Sequence, residues 1–272
     1  MAIDPMHQFL IEKVVAIPPF QIGGMVVDLS ITNSVVMMLA GALTLCLLLG
    51  AASRGALVPG RMQAVGEAFY DLVEGVLVTP IIGPNGRPYI PFIMTLFMFI
   101  FVMNMLGVIL SLGSIGGLEL TFTPTAQLAV TVGLAALTIG TVIVVGFLKH
   151  GLGLFKMFLP PGLPLPMLIV MAPIEFISFA VRPLTLSMRL FGNMVGGHVV
   201  LYIFASFVIS LGLLGMSGGI IHSLGFLGSA ASLAMIVLLS ALELLVAFLQ
   251  AFVFAALATV YLNEVVNLGH AH

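Results

Sequence analysis

Long apolar runs dominate this chain, and their lengths predict helices that cross a membrane. The runs at 26–52, 89–112 and 121–148 each exceed 20 residues, the length that a helix needs to cross a ~30 Å hydrocarbon core. Two further runs, at 167–214 and 224–266, are about twice as long. Strand-type alternation of apolar and polar positions is absent. The pattern predicts an all-α integral membrane protein with about five crossing helices.

The last two runs are too long to stand upright in a membrane. As straight helices of roughly 48 and 43 residues they would measure about 72 Å and 64 Å. We therefore predict that 164–266 forms a hairpin of two long, strongly tilted helices. Two extra short spans are the alternative, because Gly192, Gly196 and Gly197 are placed where they could break the first of these helices.

The segment 62–82, after the first span, has a different pattern. Its apolar residues recur at helical spacing, while Glu67, Asp71 and Glu74 lie on another face. This predicts one amphipathic helix at the membrane surface or against a partner. We predict that 89–148 forms a helical hairpin and that 1–25 is an N-terminal segment on the outside, so that 1–272 is a single membrane domain.

Composition supports a membrane protein and removes several classes of function. The chain is 61% hydrophobic and 7% charged, against about 25% charged in a typical soluble domain. It has no basic tract, so we expect no nucleic-acid partner. Its single cysteine, Cys46, excludes a disulfide or zinc framework within the chain. We expect no cofactor and no metal site.

The positions of the basic residues predict the orientation, because cytoplasmic loops carry an excess of lysine and arginine. Two of the basic residues belong to the long hairpin. Of the others, the five-span arrangement places Lys13 on one side of the membrane and the rest on the opposite side. We therefore predict an N-terminus outside and a C-terminus in the cytoplasm. The residues on the cytoplasmic side are Arg54, Arg61, Arg87, Lys149 and Lys156.

Ionisable residues inside membrane spans are rare and are functional candidates by default. The candidates in this chain lie in the predicted long hairpin, and a few amides accompany them in the spans. The ionisable candidates are Glu175, Arg182, Arg189, His198 and Glu243, and the amides are Asn104, Asn193 and Gln250.

Helical spacing sorts these residues onto faces. Glu175, Arg182 and Arg189 are seven residues apart in turn, so they share one face, which Asn193 joins. His198 is nine residues beyond Arg189 and therefore points in the opposite direction. Arg182 is close to the cytoplasmic end of its helix and precedes Pro183, which favours an interface anchor.

A hairpin turn near 218–220 predicts how deep each residue of the long hairpin lies in the membrane. Residues equally far from the turn lie at similar depth, which predicts an outer, a middle and a cytoplasmic layer. The corresponding pairs are His198 with Glu243, Arg189 with Gln250, and Glu175 with Glu264.

The three layers have different chemistry. A histidine and a carboxylate can pass a proton through water, so His198 with Glu243 and Glu175 with Glu264 are candidate proton ports on opposite sides. Arg189 between them stays protonated and blocks a leak. Its nearest carboxylate on the same helix, Glu175, is ~21 Å away along the axis. We therefore expect its anionic partner on another subunit. Structural roles remain open alternatives for the amides, for the outer pair and, as a packing ion pair, for Arg189.

Several segments carry a resemblance to a known family. "RLFGN", from Arg189 to Asn193, resembles the arginine motif of subunit a of the F-type ATP synthase. "ELLVAFLQAFVFAALATVYL" is similar to the last helix of that family, with its glutamine at Gln250, and "PIEFIS" and "MNMLG" match further segments. The resemblance covers nearly the whole chain. In well-known bacterial members the residues at the positions of His198 and Glu243 are exchanged, which supports their being neighbours in space.

The resemblance implies a function and partners. The chain would be a non-catalytic stator subunit that forms two offset half-channels against a ring of c-subunits, each with a membrane carboxylate. Protons would enter past His198 and Glu243 and leave past Glu175, with Asn193 and Gln250 along the path. The b/b′ peripheral stalk subunits and the lipid bilayer would be further partners, and ATP chemistry would belong to other subunits. The location would be the cell inner membrane or, alternatively, the mitochondrial inner membrane.

Overall fold

A computed structural model describes residues 13–15, 20–22, 25–27, 30–53, 60–113, 123–158, 165–216 and 221–268. Within these residues, five helices are long and apolar enough to cross a membrane. The predicted all-α multi-pass architecture is therefore confirmed. In chain order the helices are α1 (Asn33–Ala52), α2 (Arg61–Leu72), α3 (Thr79–Ile82), α4 (Ile90–Gly113), α5 (Leu128–His150), α6 (Leu165–Met216) and α7 (Ile221–Val266).

The region before α1 differs from the prediction because it contains short strands. Strand β1 (Lys13–Val15) pairs antiparallel with β4 (Ile31–Thr32), and β2 (Phe20–Ile22) pairs antiparallel with β3 (Met25–Val27). The first crossing helix therefore begins at Asn33, where the side-chain oxygen accepts a hydrogen bond from the amide of the next residue at 3.0 Å. The predicted span started seven residues too early because β-branched and apolar residues extend the run without being helical. Much of 1–25 lies outside the described residues.

The amphipathic segment is helical from Arg61 to Ile82, with a π-helical stretch at Val73–Val78 between α2 and α3. That stretch precedes Pro80, which has no N–H to bond the carbonyl four residues earlier. Gly83 ends the segment with a φ of 79°, a conformation that glycine adopts readily. The ring of Phe69 lies 5.9 Å and 5.5 Å from those of Phe97 and Phe101, so this side chain of α2 packs on α4.

The third crossing helix, α5, begins at Leu128 and not at Thr121. A 3-10 turn at Pro124–Ala126 precedes it, and Thr123 is extended, with φ −96° and ψ 114°. This conformation is expected for a residue before proline, because the proline ring disfavours helical angles there. The Gly-rich part of the loop at 114–122 lies outside the described residues. After α5, a 3-10 helix covers Gly151–Phe158.

The two long helices are continuous. Helix α6 has 52 residues and α7 has 46. Gly192, Gly196 and Gly197 all lie within α6, and the alternative of two extra short spans is therefore wrong. The predicted turn at 218–220 lies outside the described residues.

The described residues divide between two compact units, and each is internally packed. The first comprises Met1–Gly41, Val102–Gln127 and Phe191–Leu249. In it α6 and α7 run antiparallel in close contact. A Cβ on Gly225 would lie 2.6 Å from the backbone nitrogen of Gly215, and the hydroxyl of Ser229 donates to the carbonyl of Val208 at 3.0 Å. These contacts join positions equally far from the turn and confirm the predicted hairpin register.

The second unit comprises Ala42–Phe101, Leu128–Leu190 and Gln250–His272. The end of α7 is held within it by side chains from other elements. The ammonium group of Lys149 donates to the carbonyl of Val266 at 3.1 Å, which satisfies a C-terminal helix carbonyl with a positive charge. The amide of Asn267 donates to the carbonyl of Ile82 at 3.0 Å. Both contacts hold the end of α7, which carries Glu264.

Candidate functional site

His198 and Glu243 form a buried pair in the first unit, as the helical register predicts. His198 is 1% exposed and Glu243 is 6% exposed, and 3.8 Å separates Nδ1 of His198 from Oε1 of Glu243. This distance exceeds a hydrogen bond, and the same Nδ1 and both carboxylate oxygens have no hydrogen-bond partner among the described residues. Buried polar atoms are normally satisfied. The pair is therefore equipped to bind a water molecule or a proton.

Glycines leave room for the polar groups around this pair. A Cβ on Gly197 would lie 2.6 Å from Oε1 of Glu243, and a Cβ on Gly107 would lie 2.3 Å and 2.5 Å from Cγ2 and Oγ1 of Thr123. The hydroxyl of Thr123 in turn lies 2.9 Å from Nε2 of His198. The imidazole is thus placed between a hydroxyl on one side and a carboxylate on the other.

Asn104 on α4 is fully buried in the same unit. Its amide nitrogen donates to the carbonyl of Ala247 at 3.2 Å. Asn104 therefore forms an interhelical hydrogen bond, which is the structural role that the sequence left open for it. Its side-chain oxygen has no partner among the described residues. Asn104 therefore joins α4 to α7 one turn from Glu243 and still presents a free acceptor.

Arg182 on α6 is the centre of an ionic cluster in the second unit. Its guanidinium contacts the carboxylate of Glu264 on α7 in a short ion pair and lies 3.7 Å from that of Glu175. It also lies 4.9 Å from the centre of the Tyr261 ring, within cation–π range. The sequence favoured an interface anchor for Arg182 and did not identify these partners. Glu175 and Glu264, which the hairpin register predicts at similar depth, both contact the guanidinium of Arg182.

The Arg182–Glu264 pair is expected to contribute measurably to stability. We predict a coupling free energy of about 1–2 kcal/mol between Arg182→Leu and Glu264→Leu in a double-mutant cycle, since the arginine is mostly buried and the glutamate partly so. Thermal unfolding of the purified complex in detergent measures it. The matched control is Arg87→Leu with Glu74→Leu, a pair at 4.0 Å whose arginine is 81% exposed, for which the coupling is expected near zero. Equal coupling in the two cycles would contradict the prediction.

Arg189 differs from the other ionisable residues of the long hairpin. Its side chain is exposed, and within the described part of the chain it forms no salt bridge of 4.0 Å or less. His198, nine residues later on the same helix, is buried. The sequence predicts that Arg189 and His198 point in opposite directions, and this difference in burial agrees with that prediction.

The remaining predicted residues have intermediate or open positions. Asn193 is exposed, whereas Gln250 and Glu175 are half-buried. The sequence did not identify Thr123 as a neighbour of His198. The nearest signal was Pro124, which predicts an extended residue before it, but nothing local indicates which helix the hydroxyl faces.

Comparison with known proteins identifies the family. The family model described as ATP synthase A chain matches residues 34–263. The chain belongs to this family. This chain is 47% identical to the ATP synthase subunit a of Mesorhizobium japonicum over 270 residues, which cover 98% of each chain. It is 46% identical to that of Chelativorans sp. over 272 residues, covering 99% of this chain and 100% of the relative. For Agrobacterium fabrum the identity is 45% over 272 residues, with the same coverage.

Family membership confirms the resemblance read from the arginine motif. As an A chain, the protein is a multi-pass membrane subunit of an ATP synthase. The matched segment ends at 263, so it contains Arg189, His198, Glu243 and Glu175. Glu264, the main partner of Arg182, lies just beyond it.

Proposed function

We propose that this protein is the proton-translocating stator of an F-type ATP synthase in a cell inner membrane, with its N-terminus in the periplasm and its C-terminus in the cytoplasm. It forms two offset half-channels against a rotating ring of c-subunits, each of which carries a membrane carboxylate. His198 and Glu243 belong to the entry path from outside, and Glu175 belongs to the exit path to the cytoplasm. Proton flow through them drives rotation and ATP synthesis.

The observation that carries this proposal is the open position of Arg189. The other ionisable side chains considered above have partners or neighbours in their own unit: Arg182 binds Glu175 and Glu264, and His198 lies beside Glu243. An arginine in a membrane stays charged and requires an anion or water around it. An exposed arginine without a carboxylate of its own chain fits a partner that arrives from another subunit.

Arg189 also supplies the separation that two half-channels require. A guanidinium cannot release its proton at ordinary pH, so protons cannot pass through it. It attracts a deprotonated ring carboxylate and repels a positively charged proton carrier. A proton that enters past Glu243 must therefore bind a ring carboxylate and travel with the ring before it reaches Glu175.

The helix surface around Arg189 suits a passing helix. By helical spacing Thr185, Gly192, Asn193 and Gly196 share the face of Arg189, and all four are exposed. No described atom lies within 4 Å of a Cβ built on Gly192 or Gly196. Small residues allow the backbones of two membrane helices to approach closely, so the ring carboxylate can reach the guanidinium.

Other parts of the complex take the roles that this chain does not fill. We propose that the b/b′ peripheral stalk subunits hold this protein against the ring's rotation and that other subunits bind nucleotides and carry out the ATP chemistry. The lipid bilayer surrounds the remaining apolar helix faces.

Cysteine cross-linking tests the proposed ring contact. We expect Asn193→Cys, in a chain that also carries Cys46→Ser, to form a disulfide with a cysteine placed one helical turn from the ring carboxylate. The two exposed positions face each other when Arg189 meets that carboxylate. Non-reducing gels of oxidised membranes report the product.

The wild-type chain supplies the matched control, because its only cysteine is Cys46, which is exposed on α1. We expect no product between Cys46 and the ring. Absence of the product from position 193, or equal yields from the two positions, would overturn the proposed interface.

A further inference from the structure

We infer that Thr123 is a positioning residue for proton entry, whose hydroxyl orients the imidazole of His198 toward Glu243. The inference rests on the proposed function, in which these two residues form the entry path. It adds a third residue, from the turn before α5, and assigns the effect to the hydroxyl and not to the shape of the side chain.

Both the backbone conformation and the side-chain packing determine the position of Thr123. Its backbone is extended because Pro124 follows it. Its side chain occupies a space above Gly107 of α4 that any Cβ there would fill, and only 4% of the residue is exposed. The hydroxyl therefore has little freedom to leave the 2.9 Å contact with Nε2 of His198.

This contact determines which imidazole nitrogen faces the carboxylate. With Nε2 bound to the hydroxyl, Nδ1 is the nitrogen that lies 3.8 Å from Oε1 of Glu243. A hydroxyl both donates and accepts hydrogen bonds. It can donate to a neutral Nε2, which leaves the hydrogen on Nδ1 toward Glu243, and it can accept from Nε2–H when the ring is protonated. Thr123 therefore satisfies the ring in both protonation states that proton passage requires.

A valine at position 123 would keep the shape and remove this function. It has nearly the volume of threonine, so it still fills the space above Gly107, but it neither donates nor accepts. Nε2 of His198 would then be buried without a partner, which disfavours the productive orientation and, most strongly, the protonated ring. A serine keeps the hydroxyl and loses the methyl group instead.

Proton pumping by the assembled complex in inverted membrane vesicles tests the inference. We expect Thr123→Val to lower the rate of ATP-driven pumping about tenfold per assembled complex and Thr123→Ser to retain at least about half of it. The opposite ranking, with serine worse than valine, is the expectation for a residue that only packs above Gly107, and it would overturn the inference. Immunodetection of this subunit in purified complexes normalises the rates for assembly.

Two further variants make the result specific. Thr125→Val is the matched control, since Thr125 is fully buried two residues away and its hydroxyl has no partner among the described residues; it is expected to pump like wild type. His198→Ala separates the inference from the proposed function. If His198→Ala pumps like wild type, both the entry path and the role of Thr123 are wrong. If His198→Ala is impaired while Thr123→Val is not, only the role of Thr123 is wrong.

Discussion

Replacement of Arg189 with alanine is expected to abolish ATP-driven proton pumping and to open a proton leak. The side chain is exposed and lacks a carboxylate partner among the described residues, so its removal should leave the fold of the protein intact. It would remove the charge that separates the two half-channels and the group that binds the ring carboxylate. A charge-assisted contact of about 3 kcal/mol corresponds to at least about a hundredfold loss of coupled transport.

Arg189→Lys separates the two roles of the arginine. Lysine keeps a positive charge, so we expect the leak to stay closed, but it lacks the planar fork that binds a carboxylate through two hydrogen bonds. Pumping should therefore remain strongly impaired. Vesicle acidification on ATP addition measures coupling, and proton permeability after removal of the ATP-hydrolysing subunits measures the leak.

Arg87→Ala is the control for the loss of an arginine as such, because its side chain is 81% exposed and its contact with Glu74 is long, at 4.0 Å. It is expected to pump normally and to remain tight. Undiminished pumping in both Arg189 variants would refute the proposed mechanism. A tight membrane in Arg189→Ala would refute the barrier role alone.

Exchange of His198 and Glu243 is expected to restore much of the function that each single substitution removes. His198→Glu alone places two carboxylates in a buried site, where they cannot both be ionised without a large penalty. Glu243→His alone leaves two imidazoles and no acid. We expect each single variant to lose about ten- to a hundredfold in pumping rate and the double variant to recover at least about tenfold.

The double variant His198→Gln with Glu243→Gln is the control for the exchange. It preserves hydrogen-bonding groups of similar size but has no titratable group, so it should remain inactive. Pumping rates per assembled complex, measured in the same vesicles, compare all four variants. If the double-exchange variant pumps no faster than the less active single variant, the two residues do not act as a pair.

Much of the fold follows from local regularities in the sequence. Apolar runs long enough to cross a membrane predicted the five crossing helices. The greater length of the last two runs predicted the long hairpin. Boundaries were less accurate at α1 and α5, which begin seven residues later than the predicted spans. In both cases apolar or β-branched residues continue the run without being helical, because hydropathy records burial in lipid and says little about backbone conformation.

The candidate site was predicted unevenly, and the difference has a physical cause. The neighbourhood of His198 and Glu243 followed from hairpin register, which the contact between Gly215 and Gly225 near the turn confirms. The cluster around Arg182 was only half predicted. Helical spacing determines how far Arg182 lies from Glu175. The pair of Arg182 with Glu264, however, joins residues 82 positions apart and depends on how the side chains orient between two helices.

The sequence by itself determined the membrane class, the helix count and the directions in which Arg189 and His198 point, because a helix repeats every 3.6 residues whatever surrounds it. The tertiary structure alone decided which of these faces is covered and what covers it. Thr123 reaches His198 across 75 positions, through an extended residue before Pro124 and a space left by Gly107. Such a contact depends on the packing of separate elements, and no local pattern in the chain encodes it.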